Sequence, residues 1–167
     1  MNEAVRNAEK EREYLIQKYV SDERYSGIDT QASGINHLAF FADDLDATID
    51  FYTQVVGLKL LRVRPLDGDP KSTMVFFDLG RDEFLAFLRV HNVTQAVKAG
   101  IGGVNHFALN INKEQYQGFK SRAEERGIKY KSISHEILDS ISAIDPNGVE
   151  VELSVWNIAP KDMLQRS

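Results

Sequence analysis

The period of apolar and polar positions changes several times along the chain, and the changes outline its elements. Residues 2–20 lack Gly and Pro, and Ala4, Ala8, Leu15 and Tyr19 recur among charged residues. That spacing predicts an amphipathic helix of several turns, able to dock on the rest of the chain or on a partner subunit. Gly, Ser, Asp and Thr then crowd 26–34, the composition of a linker. Beyond it the pattern runs strand, helix, three strands, and then repeats. Asp43 or Asp44 can cap a helix that carries Ile49, Phe51, Tyr52 and Val55 on one stripe and stops at Gly57. Strand-like runs follow over 58–63, 74–79 and 83–90, with turn residues at 67–70. Asn112 can cap a second helix reaching Arg126, with Tyr116, Phe119 and Ala123 on its stripe and Gly127 as its stop. Runs over 128–133, 138–144 and 149–155 complete the second series, with Asp145-Pro146-Asn147-Gly148 as the last turn.

The two series begin alike. GINHLAF at 34–40 answers GVNHFAL at 103–109, with Gly, Asn, His and Ala identical and the other positions apolar in both. A seven-residue match offset by nearly half the chain indicates a duplicated unit. The expectation is an α+β protein of two βαβββ modules, 34–90 and 103–156. An N-terminal helix and linker over 1–33 precede them, and a short tail over 157–167 follows.

Length and composition narrow the setting. At 167 residues, with 43% hydrophobic and 27% charged positions, the chain suits one soluble domain. A net charge of −5 with no basic block argues against nucleic acid and anionic membrane as partners. No apolar run approaches the roughly 20 residues of a membrane span, and the start is too charged for a signal peptide. There is no cysteine, so disulfides and thiolate ligands are ruled out and a cytoplasmic address is the default expectation. Any metal must be held by His, Asp, Glu or backbone oxygen.

Alternation along a strand puts His37 on one face with Ile35, Ala39 and Phe41, and His106 on one face with Val104 and Ala108. In the last strand Val149, Val151, Leu153 and Val155 form an apolar row, which leaves Glu150, Glu152, Ser154 and Trp156 opposite. A carboxylate pair beside such a row needs a partner or water. A lone strand histidine is more often structural than a ligand, but two at matching places in a repeat favour a shared site. His91 and His135 read as surface residues unless a cleft holds them.

GINHLAFFADDLDATIDFYTQVVGLKL, the repeat start GVNHFALNI and the ending DPNGVEVEL together resemble the vicinal oxygen chelate superfamily over roughly 34–156. That group contains glyoxalase I, extradiol dioxygenases, methylmalonyl-CoA epimerase, fosfomycin-modifying enzymes and bleomycin-binding proteins. The resemblance implies that the modules curl into a cup-shaped mixed sheet, and that His37, His106 and Glu152 bind one divalent metal ion. Fe(II) is favoured, with Mn, Ni or Zn as alternatives, because two His and one carboxylate make the facial set of non-haem Fe(II) oxygenases. The fourth family position falls at Leu85 or Ala86, neither of them a ligand. The implied activity is extradiol-like dioxygenase chemistry on a small oxygenated or aromatic substrate. A glyoxalase-type lyase or isomerase and a metal-free antibiotic-binding protein are the alternatives, and a homodimer is compatible with each. Glu83 stands where the dioxygenases keep an acid–base His, Ser142 where they keep a Tyr, and His135 approximates a second His of theirs. The expected catalytic residues are thus Glu83 and His135, with Phe41, Phe87 and Trp156 walling the substrate.

Overall fold

The computed structural model describes residues 3–27, 29–95 and 100–159, and the chain forms two compact units, Met1–Ile35 and Asn36–Ser167. In the first unit, helix α1 (Glu3–Leu15) continues into a π-helical turn, Ile16–Val20. A short helix α2 (Glu23–Ser26) follows, capped by Asp22, whose side chain accepts from the Arg24 backbone N–H. This fits the helix expected over 2–20, although residue 2 lies outside the described residues. No helix among the described residues is long and apolar enough to cross a membrane.

The second unit holds the two modules. Module one is β1 (His37–Phe41), α3 (Leu45–Asp50, prolonged by a π-helical stretch Phe51–Val56), β2 (Lys59–Leu66), β3 (Asp69–Gly80) and β4 (Glu83–Arg89). Module two is β5 (Phe107–Asn110), α4 (Lys113–Glu125), β6 (Tyr130–Ser134), β7 (Leu138–Ile144) and β8 (Glu150–Trp156). Each makes a four-stranded sheet, in the orders β1-β4-β3-β2 and β5-β8-β7-β6, with the first and last strands of each module parallel. Two βαβββ units in one α+β domain are thus as the duplicated pattern predicts. The tail expected over 157–167 lies outside the described residues from 160 onward.

Local chemistry explains the helix ends. Asp44 accepts from the Ala47 N–H at 3.0 Å, and Asn112 with Gln115 forms a reciprocal capping box. Gly57 stops α3 with φ 91°, and a Cβ there would meet the Arg122 guanidinium at 2.9 Å. That close approach lets Arg122 donate to the terminal carbonyls of Val55 and Val56 at 3.0 and 3.2 Å, tying module two to the helix end of module one.

One apolar cluster serves both modules. Phe40 and Phe107 stack at 5.2 Å, and Tyr52, Phe77, Phe87, Phe119, Leu85, Ile141 and Val151 are fully buried around them. The last turn of module two is anchored to α3. The Asp145 carboxylate accepts from the Tyr52 hydroxyl at 3.0 Å and from the Asn147 and Val149 N–H groups at 2.8 Å each. The Asn147 side chain donates to Thr48 at 3.1 Å. Burial first, and then the Asp145 charge, hold the Tyr52 hydroxyl far above its ordinary pKa, so it stays a donor. This anchor fixes where β8 begins, and with it the position of Glu152.

Candidate metal centre

Strand alternation decides which side chains leave the core. Leu38 and Phe40 of β1 pack on the cluster, so His37, Ala39 and Phe41 face away from it. Phe107 and Leu109 do the same in β5, turning Ala108 outward and leaving His106, just before the strand, exposed. In β8, Val151, Leu153 and Val155 are buried in the core, and Glu150, Glu152 and Trp156 occupy the open face.

His106 Nε2 lies 3.4 Å from Glu152 Oε2. Two donors each about 2.1 Å from one ion stand roughly 3.0–3.4 Å apart at octahedral or tetrahedral angles, so this spacing fits a divalent cation. The remaining atoms of the pair are already engaged. Glu152 Oε1 accepts from the Ser154 hydroxyl at 2.7 Å, and His106 Nδ1 meets Asn105 Oδ1 at 2.7 Å. With the amide oxygen as acceptor, Nδ1 is the donor, and Nε2, facing Glu152, is the nitrogen left for a metal. His37 repeats the arrangement, with Nδ1 2.7 Å from Asn36 Oδ1. Both histidines are thereby held in the tautomer that a metal ligand needs. Among the described residues no three His, Asp or Glu side chains stand close enough together to hold an ion. His106 and Glu152 are a pair, and His37 stands apart from them.

Asn36, Asn105 and Ser154 are functional candidates that the pattern of ligand-type residues does not single out. The signal was present, since the asparagine precedes the histidine in both copies of the repeat. Replacing Asn105 with Ala should weaken divalent-metal binding by about 10–100-fold, the usual cost of losing an outer-shell partner. In the metal-free protein the same change should move the His106 ¹⁵N resonances from one tautomer toward a mixture. Unaltered resonances would show that Asn105 does not set the tautomer.

Three of the expected catalytic and substrate residues, Phe87, Glu83 and His135, stand elsewhere than expected. Phe87 is fully buried, with its ring 4.7 Å from Tyr52, and so belongs to the core rather than to a substrate wall. Glu83 alternates with Leu85 and Phe87, both buried, which puts it on the core-side face of β4 and away from His37. The open-face positions of β4 are Phe84, Ala86 and Leu88, paired with His37, Ala39 and Phe41. His135 closes the β6–β7 turn by exchanging backbone hydrogen bonds with Leu138. Leu138 pairs with Trp156, four positions along β8 from Glu152, or about 13 Å. Phe41 and Trp156 are on the open face, at 56% and 39% exposure, and the indole N–H donates to Asn110 at 2.9 Å. Ser142 pairs across with Glu152 and donates to Glu150 at 2.7 Å.

The model of the glyoxalase/bleomycin resistance protein/dioxygenase superfamily matches residues 34–153. Biphenyl-2,3-diol 1,2-dioxygenase of Metapseudomonas furukawaii is 28% identical over 141 residues, which cover 82% of this chain. This chain spans only 45% of that relative's length. Lactoylglutathione lyase of Arabidopsis thaliana is 34% identical over 76 residues, 44% of this chain and 26% of the relative. A glyoxylase/bleomycin resistance protein/dioxygenase domain from Frankia sp. EAN1pec superposes with a TM-score of 0.65 at 14% identity, over 75% of this chain and 99% of its own.

Proposed function

The chain belongs to the glyoxalase/bleomycin resistance protein/dioxygenase superfamily, and from that premise we propose that it is a metal-dependent enzyme with dioxygenase-type chemistry on a small aromatic diol. The carrying observation is the His106–Glu152 pair at 3.4 Å, with the other imidazole nitrogen already occupied by Asn105. His37, His106 and Glu152 are the proposed ligands of one divalent ion, Fe(II) by preference. When bound, such an ion supplies Lewis-acid stabilisation of the negative charge that develops on two adjacent substrate oxygens. His37, at the start of β1, would supply the third ligand. The Glu150 carboxylate, oriented by Ser142 on the same face, takes a proton from a substrate hydroxyl as it docks. Phe41, Phe84 and Leu88 offer an apolar wall for a ring. The 141-residue match to a diol dioxygenase, longer than that to the lyase, supports the choice among the superfamily's reactions.

A glyoxalase-type lyase is the second reading, favoured by Glu150, a carboxylate on the ligand face suited to moving a proton beside a carbonyl. A metal-free binding protein has no use for paired His tautomers. Oxygen consumption separates the readings. The Fe(II)-loaded protein should take up oxygen on addition of biphenyl-2,3-diol or catechol, and Glu152→Ala should not. No uptake, together with isomerisation of a hemithioacetal, would replace this reading with the lyase.

A further inference from the structure

On the open face of module one, strand pairing sets side chains in three rows running from β1 across β4 and β3 to β2. They read His37–Phe84–Asp78–Lys59, Ala39–Ala86–Phe76–Arg62 and Phe41–Leu88–Met74–Arg64. The interior of this grid is largely apolar, and every row ends in a cation. Regular alternation would not give that result. A β-bulge at Leu61 shifts the register between Leu60 and Arg62. Without it Arg62 would pair with Val75, which is fully buried, and its side chain would sit on the core face. The bulge therefore re-aims both Arg62 and Arg64 onto the face that carries His37.

The three cations are not equivalent. Arg64 is paired with Asp67, and Lys59 stands opposite Asp78. Arg62 stands opposite Phe76, and among the described residues no carboxylate lies within ion-pair range of it. An edge strand can carry cations simply to discourage pairing with another chain. That role needs no bulge, because any exposed cation on the edge would serve. Arg62 also shares its row with Ala39, whose exposed methyl side chain leaves the histidine strand low at that point, and with Ala86, which is buried between them. The row spans three strand spacings, about 14 Å between its end Cα atoms. A single ring fits that length, with oxygens at one end and the Arg62 side chain at the other.

We infer that the substrate carries a carboxylate, bound by the Arg62 guanidinium, at the end opposite its two metal-directed oxygens. The inference rests on the proposed function and narrows it to carboxylated aromatic diols. A planar guanidinium receives a carboxylate through two parallel hydrogen bonds, stronger than neutral ones. The test is calorimetric titration of the full chain, loaded with Mn(II) under argon, with catechol and with 3,4-dihydroxybenzoate. The acid should bind about tenfold or more tighter than catechol. That ratio should fall to about twofold in Arg62→Gln and persist in Arg64→Gln, with circular dichroism confirming that both variants fold. Equal affinities in the parent protein, or an advantage that survives Arg62→Gln, would overturn the inference while catechol binding leaves the proposed function standing. Failure of both compounds to bind would overturn the two together.

Discussion

Replacing His106 with Ala should lower the affinity for a divalent ion by more than a hundredfold and leave the fold intact. Outer-shell losses alone cost about 10–100-fold, and this change removes a ligand from the His106–Glu152 pair, already set at metal spacing. The side chain is 42% exposed and precedes β5 rather than packing in the core. Its removal should therefore change stability by no more than about 0.5 kcal/mol. The check is a metal titration against a chelating indicator beside a urea melt of the same variant. Unchanged metal affinity would make His106 a structural histidine and dissolve the site.

Phe87→Ala should behave in the opposite way. The ring is fully buried and meets Tyr52 at 4.7 Å, Phe40 at 5.8 Å and Phe77 at 6.2 Å. Truncating such a residue costs about 3–5 kcal/mol, through lost transfer energy and the cavity left behind. Domains of this size are stable by only about 5–15 kcal/mol, so the urea midpoint should fall steeply or the protein should fail to accumulate. Phe41→Ala, at an exposed position, is the matched control and should leave the midpoint nearly unmoved. A stable Phe87→Ala protein that loses only ligand binding would return Phe87 to the substrate wall.

These two residues show what the sequence made legible and what it did not. The duplicated GxNHxA start, the Asp44 and Asn112 caps and the Gly57 and Gly127 stops are local signals, and local signals fixed the element order. The faces were readable in β8, where Val151, Leu153 and Val155 alternate with polar residues. They were not readable in β4, because positions 84–88 are all apolar and alternation then carries no contrast. The sequence alone therefore leaves Phe87 and Glu83 on the wrong side, and only pairing with β1 shows that Phe84, Ala86 and Leu88 share the His37 face. The bulge that turns Arg62 was hidden for a similar reason, since register belongs to two strands and neither one specifies it alone. The separation of His37 from the other two candidates is also beyond a pattern argument. Period-two alternation assigns a face, whereas convergence depends on side-chain torsions and on the ion that draws the donors together.

A crystal structure of the Mn(II)-loaded protein tests the central claim most directly. One ion per chain is expected, bound by His37 Nε2, His106 Nε2 and a Glu152 oxygen at about 2.0–2.3 Å. Both Nδ1 atoms should still be donating to Asn36 and Asn105. An ion held elsewhere, or by His106 and Glu152 without His37, would contradict that assignment.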